Sequence, residues 1–239
     1  MSMTTPQAPS IPILALDTSS PRESVALMQG REVVAELRLH SQETHSARLL
    51  NSIQYLLSCS GWDLEKIELI AVGIGPGSFT GVRIGVATAL GLAQSLSRPL
   101  ACVSGLDALA FDMAYLRSRI GIVIDAQRMQ VYYAEYIVGS NGRVRLQGKP
   151  SLWFPGDLDK ALGRRRLYLA GDGAVRYWRQ LRITRSGLRR LIERDLFLAP
   201  SIARVALARK RTWRKGDYVT TEPLYIRLPD ALRKKQRLF

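Results

Sequence analysis

The chain has 239 residues, of which 46% are hydrophobic, and a formal charge of +15 at pH 7; it is long enough to bury a core in one or two lobes, and its apolar share is ordinary for a soluble globule. No apolar run approaches the roughly 20 residues of a membrane span. Residues 1–10 are polar, contain proline and lack the basic-then-apolar order of a secretory signal, so the expectation is a cytoplasmic protein with a disordered N-terminus.

Residues 11–17 are an apolar run ending in Asp17 and read as a strand; a polar turn, a second strand at 24–28 and a third at 33–39 follow. A helix is expected from about 43 to 60, where Leu49, Leu50, Ile53, Leu56 and Leu57 recur at helical spacing and Gly61 is placed to end it. One such stripe is needed for the sheet, and any surplus is open to a partner. Residues 67–74 are near-continuously apolar, as in a strand covered on both faces.

That run enters Gly75-Pro76-Gly77-Ser78-Phe79-Thr80-Gly81-Val82-Arg83-Ile84-Gly85, a turn with more glycine than ordinary packing requires, followed by a helical stretch at 82–96. Gly75 and Gly77 can take positive φ, Pro76 fixes its own φ, and Ser78 can cap the helix. N–H groups at such a helix start suit either an anion or a closely apposed backbone. A Walker loop would end in Gly-Lys-Ser/Thr where this one reads Gly81-Val82-Arg83, and a dinucleotide fingerprint would place its third glycine one residue earlier. In the helix, Gly81, Gly85, Ala89 and Ala93 recur every fourth position, with Thr88 and Gly91 beside them. Interior glycine costs about 1 kcal/mol against alanine, so another backbone is expected close by, belonging to this chain's own sheet or to a second subunit.

A short strand at 100–103 leads to residues 120–125, again an apolar strand ending in aspartate, Asp125, followed by a turn at 126–130 and a strand at 131–138. The repeated strand, aspartate, turn, strand unit points to two lobes of the same design. Residues 167–170 are apolar and run into Gly171-Asp172-Gly173. Cys59 and Cys102 sit in apolar contexts and read as small buried thiols, and Trp178 and Trp213 as core anchors.

Positive charge is concentrated in residues 160–239, with 22 Lys and Arg against 6 Asp and Glu; residues 1–100 carry a net −1 and residues 101–159 none. A basic region of this kind attracts a polyanion and loses that attraction as salt rises. Arg209, Lys210, Arg211, Arg214 and Lys215 are the candidate nucleic-acid contacts, the alternative being a solvated arginine-rich surface.

Metal and nucleophile chemistry find little support. His40 and His45 are five residues apart, about 140° around a helix, and cannot share an ion. There is no Gly-x-Ser-x-Gly elbow. Asp17, Thr18 and Ser19, with Asp125, are the candidate nucleotide contacts.

In residues 13–19, in the long glycine motif at 75–85 and in Ile124-Asp125-Ala126 the chain resembles the bacterial TsaB (YeaZ) family. The likeness is good over roughly residues 11–138 and later rests only on Pro223-Leu224-Tyr225-Ile226-Arg227. It implies an α/β, two-lobed actin-like ATPase fold, ribonuclease H-like with duplicated mixed sheets. The lobes are expected at residues 11–108 and 109–222, the second smaller and basic, with a basic tail at 223–239. The implied role is a non-catalytic subunit in the synthesis of threonylcarbamoyladenosine in transfer RNA. Its expected partners are the catalytic paralogue TsaD, the ATPase TsaE, tRNA through the complex, and a second copy of itself. The resemblance places the interface on the two helices, for which Thr44, His45, Leu49, Gly77, Phe79, Gly81, Arg83 and Gly85 are the candidates. Asp17, Thr18 and Ser19 then occupy a phosphate-hairpin position and Gly171-Asp172-Gly173 resembles an adenosine turn, but Ala126-Gln127-Arg128 stands where a kinase of this fold places glycines and threonines. No cofactor is expected on this subunit itself, ATP and magnesium entering at the level of the complex. A small kinase or ATPase using Asp17 and Asp125, and a plain RNA-binding module, are the alternatives.

Overall fold

A computed structural model describes residues 10–41, 45–182, 189–193, 196–216, 218, 224 and 226. The chain divides into two compact units, the first formed by residues 1–108 with 197–223 and the second by residues 109–196 with 224–239.

In the first unit the five-stranded sheet runs β3 (Glu32–His40), β2 (Arg22–Gln29), β1 (Pro12–Asp17), β4 (Leu69–Gly73), β5 (Leu100–Val103). β1–β2 and β2–β3 are antiparallel; β1–β4 and β4–β5 are parallel. Both faces of β1 and β4 are buried, which is why neither shows apolar–polar alternation. On one face α1 (His45–Ser60) and α2 (Phe79–Ser95) share a core with the sheet through Leu49, Ile53, Leu56, Val82, Val86 and Ala89. α6 (Ala199–Ala208) packs against β1, β2 and β4. This helix lies within the stretch expected to form the second lobe; its buried Ile202, Ala203 and Ala206 return it to the first, and the Ala199 N–H donates to Ser24 Oγ at 3.0 Å.

The second unit repeats the plan. Its sheet runs β8 (Val144–Trp153), β7 (Val131–Val138), β6 (Arg119–Asp125), β9 (Leu167–Ala170), β10 (Arg189–Ile192), with the same two antiparallel and two parallel pairings. Position for position this is the order of the first sheet, so the duplicated actin-like ATPase architecture is the observed fold. α4 (Pro155–Leu162) covers one face of the sheet through Leu158 and Leu162, joined by Tyr177 and Leu181, and Trp178 packs against the same core. α5 (Asp172–Arg176) contacts β6 and β9. α3 (Gly105–Asp112) links the halves in sequence. Trp213 donates its indole N–H to Ala206 O at 2.8 Å, and Cys59, expected to be buried, is exposed on α1.

Candidate functional site

The apolar run of β4 ends at Gly73, and the loop beyond it must turn back over the β1–β2 hairpin before α2 begins. Gly75 makes that turn with φ 86°. Gly77 does not use positive φ; it is required by proximity, because a Cβ there would fall on the carbonyl oxygen of Ser19. Ser78 caps α2, its Oγ accepting from the Gly81 N–H at 3.2 Å, while its own N–H donates to Ser19 O at 2.7 Å. The helix start is thus met within the chain, by the Ser78 hydroxyl and the Ser19 carbonyl.

The next two glycines continue the contact. A Cβ on Gly81 would overlap the Thr18 carbonyl oxygen, and one on Gly85 the Thr18 hydroxyl. The same hydroxyl donates to Gly81 O at 2.7 Å. Gly73 is fixed by the Asp17 carboxylate in the same manner. The small-residue stripe therefore seats α2 on its own hairpin, with Thr18 as the peg.

Asp17 is buried, with one carboxylate oxygen accepting from the Ser19 N–H at 3.3 Å and the other from Ser19 Oγ at 3.2 Å. Burial pushes its carboxyl up to about 6, the Ser19 hydrogen bonds and the nearby His45 charge only partly opposing it. Asp17, Thr18 and Ser19 do come together at the position expected of a phosphate hairpin, but their polar groups are spent inside the chain.

Beside them lies a buried polar cluster whose makeup the sequence did not reveal. Glu23 on β2 has no exposed surface, accepts from Ser52 Oγ at 2.5 Å and faces His45 Nδ1 at 3.2 Å and Arg48 at 3.8 Å. The other ring nitrogen of His45 lies 2.8 Å from Ser20 O. Both partners of the ring are acceptors, so His45 bonds both only as the imidazolium. Its hydrogen bond to Glu23 accordingly raises its pKa above the ordinary value. Burial alone would raise Glu23, but the bonds from His45 and Ser52 and the Arg48 charge outweigh it and hold the carboxyl below its usual range.

In the second unit Asp125 ends β6 in the corresponding place. Its carboxylate accepts from Arg176 at 2.6 Å and from the Gln127 N–H at 2.9 Å. The residues after it, Gln127, Arg128 and Met129, all have φ between 54° and 59°, an unusual left-handed turn without glycine. Gly171 and Gly173 pack against the backbone of Val123 and Ile124, and Asp172 accepts from the N–H groups of Asp125 and Gly173. The turn that resembled an adenosine clamp ties β9 to β6. Among the described residues no three of His, Cys, Asp and Glu gather as a metal site.

The interface candidates separate cleanly. His45, Leu49, Gly81 and Gly85 face the interior, so none of these four presents a surface to another subunit, and Gly77 is half-buried against Ser19. Thr44 falls outside the described residues. Phe79 and Arg83 are exposed, the guanidinium resting 4.7 Å from the ring centre. The outward faces of α1 and α2 instead carry Leu50 (59% exposed) and Tyr55 (62%), with Ala87 and Gly91, the last having nothing within 4 Å of where a Cβ would stand. The signal was present in Leu50, which stands next to Leu49 but 100° around the helix from it.

The candidate nucleic-acid residues sit on the first unit. Arg209 pairs with Asp107 at 2.5 Å, Lys210 lies over the Trp213 ring, Arg214 pairs by backbone with Leu100 at the edge of β5, and Lys215 is exposed. The side chain of Arg211 is outside the described residues.

A family model described as TsaD: tRNA N6-adenosine threonylcarbamoyltransferase matches residues 33–149. The chain is 42% identical over 133 residues to the tRNA threonylcarbamoyladenosine biosynthesis protein TsaB of Escherichia coli strain K12, an alignment covering 54% of this chain and 57% of the relative. It is 39% identical over 124 residues to the protein of the same name from Bacillus subtilis strain 168, covering 52% and 54%. The chain thus spans little more than half the length of these curated relatives. Among solved structures it is similar to a Pseudomonas aeruginosa protein described as similar to peptidase YEAZ, with TM-score 0.74 and 30% identity over 91% of this chain and all of the other. It is likewise similar to YeaZ from Pseudomonas aeruginosa, at TM-score 0.74 and 29% identity.

Proposed function

The chain belongs to the TsaB (YeaZ) family, and from that premise we propose that it is a non-catalytic subunit of a complex that makes N6-threonylcarbamoyladenosine in tRNA. In this reading it docks on a catalytic paralogue of the same fold, TsaD, and holds it in its active arrangement, while the ATPase TsaE joins the assembly and tRNA binds the complex. Without the paralogue the same face pairs two copies of the chain.

The observation that carries the reading is the division of labour in the first unit. The inward faces of α1 and α2 are fully used by their own sheet, and the outward faces present Leu50, Tyr55, Phe79, Ala87 and Gly91, apolar and small residues suited to a helix-on-helix contact. Conversely, the groups a kinase would turn toward nucleotide and magnesium are committed elsewhere: Asp17 to Ser19, Thr18 to Gly81, Asp125 to Arg176 and Gln127. We therefore assign nucleotide chemistry to other members of the complex.

Tyr55→Asp combined with Gly91→Trp tests the docking face, because both positions open outward: Tyr55 is 62% exposed and nothing lies within 4 Å of where a Cβ on Gly91 would stand. The double variant should melt within about 2 °C of the parent, since exposed substitutions cost little, and should fail to co-elute with the paralogue in size-exclusion light scattering. Unchanged co-elution would remove these two helices from the interface.

A further inference from the structure

The topology of the second sheet gathers arginines that the sequence scatters. At one end of that sheet β6 and β9 begin, β7 ends and β8 begins. Arg119 opens β6 and pairs in register with Ile137, which pairs in turn with Arg145, so the two arginines share one cross-strand row and one face. Arg164 and Arg165 follow the end of α4, Arg166 directly precedes β9, and Arg117 lies two residues before β6. All six are exposed.

One carboxylate answers them. Glu135, buried on β7, accepts from Arg119 at 2.7 Å on one oxygen and from Arg165 at 2.8 Å and the Tyr133 hydroxyl at 3.1 Å on the other. Both guanidinium side chains remain about half exposed, at 49% and 53%, so Glu135 fixes their direction without covering them. Among the described residues Arg117, Arg145, Arg164 and Arg166 form no ion pair. The rim is arginine throughout, and the planar guanidinium matches a phosphate bidentately where an ammonium is only a point charge. Tyr115, two residues before Arg117 and 61% exposed, adds an aromatic plane of the kind on which unpaired bases stack.

We propose that this rim is an RNA-binding surface, in which the arginines contact successive phosphates of one strand. From β8 to β9 it crosses three strand spacings, about 14 Å, enough to span several successive phosphates of one strand. The proposal rests on the function given above for the choice of RNA, and it assigns the contact to the second unit and not to Arg209–Lys215 of the first, where Arg209 is already neutralised by Asp107.

The test compares two variants of the full chain in fluorescence-anisotropy titrations with an unmodified tRNA transcript over a range of salt. One carries Arg117→Gln, Arg145→Gln, Arg164→Gln and Arg166→Gln, leaving Arg119 and Arg165 to hold Glu135; the other carries Lys210→Gln, Arg214→Gln and Lys215→Gln. The rim variant should bind about tenfold or more weaker and lose about 3 from the slope of log affinity against log salt, at roughly 0.7–0.9 per phosphate contact. Its melting temperature and its co-elution with the paralogue should match the parent's. An unchanged slope, a larger loss in the second variant, or binding by the parent to anionic lipid vesicles but not to RNA would overturn the proposal. A parent chain that binds RNA through the rim yet never pairs with the paralogue would instead overturn the proposed function and leave the rim standing.

Discussion

Replacing Gly81 by alanine should destabilise the first unit, although alanine is the better helix former. The new Cβ falls on the carbonyl oxygen of Thr18, and because the obstacle is backbone, no rotamer change relieves it. Forcing the atoms apart costs about 1–3 kcal/mol. Separating α2 from the hairpin also stretches the buried Thr18–Gly81 hydrogen bond, worth about 1–2 kcal/mol where a buried partner is left unmet. The helix regains about 1 kcal/mol of propensity, which leaves a net loss of about 1–4 kcal/mol. For a chain of this size that is a fall of about 3–12 °C in melting temperature. Gly91→Ala is the internal control: on the same helix, facing open space, it should gain about 1 kcal/mol and melt about 3 °C higher. Both variants are followed by thermal unfolding in circular dichroism. A Gly81→Ala protein melting within about 2 °C of the parent, or a Gly91→Ala protein falling as far as Gly81→Ala, would refute the reading that the glycine stripe exists to seat α2 on residues 17–19.

Asp17 makes stability depend on pH in an uncommon direction. Burial raises its carboxyl from 3.8 to about 6, so its contribution is fully present below pH 3.8 and is lost as pH rises through about 6, a change of about 3 kcal/mol. Asp17→Asn should flatten the stability curve between those values in denaturant titrations, and an identical curve for the variant would show that the carboxyl titrates normally. The raised His45 contributes stability below its ordinary 6.5 that disappears as pH climbs past its folded value, whereas the lowered Glu23 contributes stability that is lost in acid. Glu23→Gln should remove both dependences and cost about 2–3 kcal/mol at pH 7 through the lost charge-assisted bonds, measured by the same titrations. Asp125→Asn should leave tRNA modification by the reconstituted complex at the parental rate, and a loss of tenfold or more in that rate would give the second hairpin a direct part in the chemistry.

Much of the frame was legible because it rests on local signals. Apolar runs ending in Asp17 and Asp125, each followed by a turn and a second strand, announced the duplication that the two identical strand orders display. The Ser78 cap and the close approach at Gly81 and Gly85 were also readable, but not which backbone does the approaching. Spacing alone cannot distinguish a helix seated on its own hairpin from one seated on another subunit, and the answer depended on Thr18 lying 63 residues away in sequence. The same limit hid the buried Glu23 cluster, whose members come from β2 and two turns of α1. It also hid the return of α6 to the first unit, since its apolar stripe fits any sheet of the right polarity. The arginine rim was invisible for a different reason. Arg117, Arg119 and Arg145 belong to a stretch whose formal charges cancel, and only the pairing of β6 with β9 and of β6, β7 and β8 with one another brings them beside Arg164–166, with Glu135 paired to Arg119 and Arg165.

The central claim is that this chain enables tRNA modification without performing it. It is tested most directly by a reconstituted transfer reaction containing the catalytic paralogue, the enzyme that forms threonylcarbamoyl adenylate, the ATPase and unmodified tRNA, run with and without the chain. Modified adenosine should form only when the chain is present, and the chain alone should not turn over ATP. Modification indifferent to the chain, or ATP hydrolysis by the isolated chain that disappears in Asp17→Ala, would contradict the account.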